Sequence, residues 1–141
     1  MLSKGRRVAM LLLWEGTVTG LEIHDDGIEI DDILKLIRKE AAASVWTCRY
    51  LEVEGASQQA LEHAAEEGIE LAGAEFLELV ADIDHTVEGD FSATRAGKKT
   101  PWVMIRAVAG ESFEVFTRDR GVLAHIESIF HDVRPAGFSG D

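Results

Sequence analysis

The chain reads as an α+β fold. A single domain is expected over residues 1–135, with a largely antiparallel sheet of about 5–6 strands, about 3–4 helices packed against it and an acidic helical hairpin in the middle; residues 136–141 read as a flexible tail. Three observations predict this. Short strand-like runs joined by turn residues outnumber possible parallel crossovers, which favours antiparallel pairing. Stretches with a helical apolar period stand between those runs. With 141 residues, 46 % of them apolar, the chain has the size and composition to bury one core.

Residues 7–14 form a continuous apolar run of strand length, as in a strand covered on both faces. Lys4, Arg6 and Arg7 precede its apolar residues 8–14 in the manner of a secretion signal, but the run stops at Glu15 and no small-X-small cleavage pattern follows. The runs 21–24 and 28–30 flank Asp25-Asp26-Gly27, and an Asp-Gly pair between apolar runs predicts a hairpin. Asp31 or Asp32 is positioned to cap a helix that turns Ile33, Leu34, Leu36 and Ile37 inward. Residues 44–53 are rich in strand formers, and alternation sets Trp46, Cys48 and Tyr50 on one side.

Two helices are expected next. Ser57 would cap the first and Gly68 would end it in the left-handed conformation, with Ile69 packing back; the second, over about 72–83, places Phe76, Val80 and Ile83 inward. Residues 84–89 read as a polar connection, 91–94 as a short strand, and 95–100 as an exposed basic turn. After Pro101, residues 102–108 and 112–117 make a hairpin around Ala109-Gly110-Glu111. Asp119 caps a last helix with Val122, Leu123, Ile126, Ile129 and Phe130 on its apolar side. His131 sits at the C-terminal carbonyls and Pro135 ends the helix.

Charge is the anomaly. Of 26 acids against 14 bases, twelve acids and no lysine or arginine fall within residues 50–94, so the net charge of −12 resides in that stretch and the rest is neutral. Glu62/Glu66, Glu66/Glu70, Glu67/Glu70, Glu75/Glu78 and Glu78/Asp82 are like-charged at helical spacing, and each such pair costs about 0.2–0.5 kcal/mol. Their total is a noticeable part of a stability of about 5–15 kcal/mol. A hydrated face, or bases folded over these acids from elsewhere, would account for the run; so would a surface kept acidic to meet a basic partner.

Chemistry-bearing patterns are sparse. Glycine at the sixth position of a calcium loop would place Ile33 where the bidentate glutamate belongs, so the spacing around Gly27 fails. Asp82, Asp84, His85, Glu88 and Asp90 keep no stereotyped metal spacing; residues 95–100 lack the first glycine of a phosphate loop; His125 and His131 are six apart and do not share a helix face. No metal or cofactor is expected. Net acidity disfavours nucleic acid and acidic membranes as ligands. A single cysteine, Cys48, excludes an internal disulfide and suits a reducing, cytoplasmic compartment.

These features point to a non-enzymatic acidic protein-binding module, an inhibitor or immunity-type protein covering a basic surface of a nuclease, toxin or nucleic-acid-binding partner. Glu62, Glu66, Glu67, Glu70, Glu75, Glu78 and Asp82 are the expected contacts, with Trp14, Trp46, Tyr50, Trp102 and Phe138 as possible aromatic anchors. In charge and size alone the chain resembles bacterial immunity proteins and other anionic inhibitors. Two other classes stay open: a small enzyme using Cys48 with a histidine brought near by the fold, and a homo-oligomeric assembly subunit pairing through an open sheet edge.

Overall fold

The computed structural model describes residues 19–136. The strand expected over 7–14, the anchors Trp14 and Phe138, and residues 137–141 of the expected tail lie outside the described residues.

The described chain is α+β. Strand β1 (Thr19–Ile23) leads through a turn into helix α1 (Ile30–Leu34), a 3-10 turn (Lys35–Ile37) and helix α2 (Arg38–Ala42). Then come β2 (Ser44–Gly55), α3 (Gln58–Glu67), β3 (Leu71–Ala72), α4 (Gly73–Ala81), β4 (Ile83–Arg95), β5 (Val103–Val108), β6 (Ser112–Thr117), α5 (Arg120–Ile129) and β7 (Val133–Ala136). The sheet order is β3-β2-β4-β5-β6-β1-β7 and every neighbouring pair is antiparallel. Seven strands replace the expected 5–6. The surplus comes from the two-residue β3 and from β7, which holds Pro135 in an edge strand, where a missing amide costs no ladder bond.

The helices pack on the sheet face that carries Trp46, Cys48, Phe91, Ile105 and Val115, which join Ile33, Leu34, Phe76, Leu123 and Ile126 in one core. Trp46 and Phe76 stack at 4.3 Å between ring centroids, tying β2 to α4. The Trp46 indole N–H donates to the Ala41 carbonyl at 3.0 Å, so the same ring also anchors the end of α2. Gly73 begins α4 hard against that end: a Cβ there would lie 2.3 Å from the Ala41 carbonyl oxygen and 2.4 Å from that of Ala42.

Several local expectations change. The Asp25–Gly27 turn does not close a hairpin. After Gly27 (φ +73°) the chain enters a helix, and the Asp25 carboxylate accepts from the backbone N–H groups of His131 and Asp132 at 2.9 and 2.7 Å. His131 is therefore held by its amide. Glu29, not Asp31 or Asp32, is the N-cap residue of α1, and its N–H donates to Asp32 Oδ2 at 2.9 Å. The Ser57 hydroxyl donates to the Leu79 carbonyl at 2.6 Å instead of capping α3, binding α3 to α4. Gly68 does end α3 in the left-handed conformation (φ +68°), but Ile69 is exposed.

Residues 84–89, expected as a connection, belong to the 13-residue strand β4, paired with β2 across three register shifts. The last helix stops at Ile129, well before Pro135; its Asp119 cap forms as expected, Oδ1 accepting from Gly121 and Val122 N–H. The β5–β6 hairpin also forms, and Ala109 (φ +55°) with Gly110 (φ +68°) supplies the double left-handed turn that suits the twist of a hairpin.

Candidate functional site

The acidic residues are placed by what their helices bury. Helix α3 turns Leu61 and Ala64 into the core and runs back alongside β2. Glu66 and Glu67 stand exposed in its last turn, while the half-buried Glu62 reaches across to β2, its Oε2 accepting the Val53 N–H at 3.2 Å. Helix α4 buries Phe76, Leu77 and Val80 and leaves Glu75, Glu78 and the C-cap residue Asp82 exposed. Strand β3 separates the two helices. Because α3 ends at Glu67, the Glu66/Glu70 and Glu67/Glu70 spacings are not intrahelical pairs; Glu62/Glu66 and Glu75/Glu78 are.

Glu62, Glu66, Glu67 and Glu70 line a groove of about 760 Å³ whose opposite wall is residues 47–51 of β2. Glu75, Glu78 and Asp82 do not line it. A bulge in β2 between Arg49 and Glu52, with Tyr50 at φ +55°, shapes that wall. It breaks the alternation that would have buried Tyr50 beside Trp46 and Cys48, leaving Tyr50 56 % exposed. Arg49 is the one base among the groove's lining residues.

Among the described residues, none of the seven carboxylates forms an ion pair; the pairs present are Lys35 with Asp31 and Asp32, Arg106 with Asp90 and Glu114, Arg134 with Asp132, and two histidine–glutamate contacts. The basic turn after β4 borders a shallow depression shared with Glu70, but Arg95 stacks over the Trp102 ring at 4.5 Å. Trp102 and Trp46 are core residues and not exposed anchors.

Compared with protein-family models, curated proteins and solved structures, the chain matches none.

Two further arrangements escaped sequence reading because they are assembled by strand register. On the sheet face away from the core, facing residues make a charged row across β2, β4, β5, β6, β1 and β7: Arg49, Asp90, Arg106, Glu114, Glu22 and Arg134. Its centre is buried, with Arg106 Nε 3.1 Å from Asp90 Oδ1 and Nη1 3.6 Å from Glu114 Oε1. Elsewhere, His85 Nδ1 lies 3.0 Å from Glu29 Oε2, joining β4 to the start of α1. That hydrogen bond raises the His85 pKa above its ordinary value, against some desolvation.

The Cys48 thiol, singled out as a possible nucleophile, is 1 % exposed, and burial pushes its pKa up to about 12. No histidine lines the groove that Cys48 borders. A thiol held neutral at physiological pH lacks the thiolate that nucleophilic chemistry needs. Among the described residues no cluster of three or more His, Cys, Asp or Glu side chains is arranged to hold a metal ion, and no helix is long and apolar enough to cross a membrane.

Proposed function

We propose that the chain is a non-enzymatic acidic binding module that covers a basic surface on another protein, in the manner of an inhibitor or an immunity-type protein. The reading rests on one observation: Glu62, Glu66, Glu67, Glu70, Glu75, Glu78 and Asp82 sit at the surface with no cationic partner among the described residues. Their placement works against stability. Glu66 and Glu67 close α3 and Asp82 closes α4, at the helix ends where the macrodipole disfavours negative charge, and neither last turn holds a base. A carboxylate cluster that costs stability is accounted for by what it does outside the fold: it speeds and orients encounter with a cationic surface.

The groove-side residues Tyr50 and Leu51 supply apolar contact beside those charges, as affinity requires more than Coulomb attraction. The test is capture of basic proteins by the immobilised chain, run beside a variant in which all seven acids become Gln or Asn. Retention by the wild type and loss by the variant, with the variant's fold intact by circular dichroism, is the expected result. Equal capture by both would refute the assignment.

A further inference from the structure

We infer that the basic turn after β4 is a second contact of opposite sign: the cationic partner surface also carries an acidic group, which seats on Lys98 and Lys99. This rests on the acidic-module reading and adds the feature by which one basic partner is distinguished from another.

The turn is held from below by the fold. Strand β4 ends at Arg95 and β5 begins at Val103. Between them the Lys98 N–H donates to the Arg95 carbonyl at 3.0 Å, closing a tight turn in which Gly97 takes the left-handed conformation (φ +78°). The backbone N–H of Trp102 donates to the Ala93 carbonyl at 2.8 Å, and its indole N–H donates to Ser44 Oγ at 2.8 Å. That buried ring carries the Arg95 guanidinium 4.5 Å from its centroid, which fixes one positive charge at the foot of the turn. Lys98 and Lys99 stand exposed above it, and neither has an ion-pair partner among the described residues. The fold uses the turn's backbone and Arg95, and leaves the two ammonium groups to solvent.

Their location gives those charges a use. Arg95, Lys98 and Lys99 line a depression of about 350 Å³ together with Glu70, and Glu70 also belongs to the acidic wall with Glu66 and Glu67. The positive turn and the negative wall therefore meet at one residue, and a surface laid over either reaches the other. In a chain of net charge −12, these lysines stay unpaired beside a glutamate that is itself unpaired among the described residues.

Charge selects the occupant. A surface that is cationic throughout is drawn to the glutamates and repelled by the turn, whereas one with a carboxylate beside its bases matches both signs; repulsion of the mismatched surface is what confers specificity. Nucleic acid offers phosphates to the turn but lays further phosphates against Glu66, Glu67 and Glu70. A second copy of this chain offers carboxylates to the turn but sets one net charge of −12 against another.

The experiment measures, at low salt, the affinity of the full chain for two capped fluorescent peptides: a run of lysines joined by a glycine–serine spacer to a pair of glutamates, and the same peptide with the glutamates replaced by glutamines. Net charge alone predicts tighter binding of the glutamine peptide, which is the more positive of the two. The expected result is the reverse, with the glutamate peptide about fivefold tighter on the wild type and the preference abolished in K98Q/K99Q, whose substitutions are at exposed positions. Equal or tighter binding of the glutamine peptide to the wild type, or a glutamate preference that persists in K98Q/K99Q, overturns the proposal while the acidic-surface reading survives. Failure of both peptides to bind overturns both readings. A doubled mass without peptide that K98Q/K99Q abolishes would assign the turn to a second copy, and displacement of the glutamate peptide by a single-stranded oligonucleotide would assign it to nucleic acid; either result also overturns the proposal.

Discussion

Replacing Glu66 and Glu67 with glutamine should stabilise the protein, although glutamine is no better a helix former than glutamate. Both residues stand in the last turn of α3, which holds no base and ends at Gly68 in the left-handed conformation. A negative charge at that end of a helix costs about 0.3–1 kcal/mol at low ionic strength. Glu62 and Glu66, four apart in the same helix, add a repulsion of about 0.2–0.5 kcal/mol that the first substitution relieves. Together the pair of changes should raise the unfolding free energy by about 1–2 kcal/mol in urea titrations at low salt. For a chain of this size that is a rise in Tm of about 3–8 °C. The gain should shrink at high salt, where the screening length drops from about 10 Å at 0.1 M to about 3 Å at 1 M. A variant that is less stable at low salt, or whose gain ignores salt, would refute the reasoning, because it would mean that the fold itself holds these carboxylates in favourable contacts.

Four other outcomes follow from the same structure. Arg106→Leu leaves Asp90 and Glu114 buried without the guanidinium between them and should cost about 3–5 kcal/mol; an unchanged unfolding free energy by denaturation would contradict this. Gly73→Ala presses a methyl group onto the Ala41 and Ala42 carbonyls and should cost about 1–3 kcal/mol in thermal melts, whereas an unchanged melt would show slack between α2 and α4. His85 has a folded pKa raised by Glu29, so its contact stabilises fully below the ordinary histidine pKa and is lost as pH rises through the raised value; His85→Gln should flatten that slope, and an NMR titration placing His85 at or below its ordinary pKa would contradict it. Cys48, with its thiol at about 12, should resist aromatic disulfide reagents at pH 8 until denaturant is added, and prompt labelling of the folded chain would place it at the surface.

The sequence carried the parts of the fold that depend on local chemistry. The Asp119 cap, the left-handed Gly68 and the hairpin around Gly110 each rest on a few neighbouring residues, and each forms; of the expected inward stripes, Phe76 and Val80 of α4 and Leu123 and Ile126 of α5 are buried, while Ile83 starts β4 and Ile129 is exposed. What was not legible depends on partners distant in the chain. Ser57 carries the side chain of a helix cap, yet the Leu79 carbonyl, reached only when α3 and α4 come together, claims its hydroxyl. Asp25 and Gly27 carry a hairpin signal, yet the carboxylate is used on residues 131 and 132, more than a hundred positions away. Residues 84–89 look polar because Asp84, His85 and Glu88 keep contact with water, which conceals a strand that pairs with β2 on both sides of its register shifts.

The site divides in the same way. The seven carboxylates were visible as a run without bases, but only the tertiary arrangement sorts them into four that share a groove and three that do not. Nothing in the alternation of β2 announced the bulge that exposes Tyr50, and the buried Asp90–Arg106–Glu114 row exists only through register.

The association rate of a captured basic partner, followed across ionic strength with the wild type and the variant lacking all seven charges, tests the account most directly. An anionic surface built for a cationic counterpart predicts a rate that falls steeply with salt in the wild type and lies low and nearly flat in the variant. Rates that coincide for the two proteins at every salt concentration would contradict it.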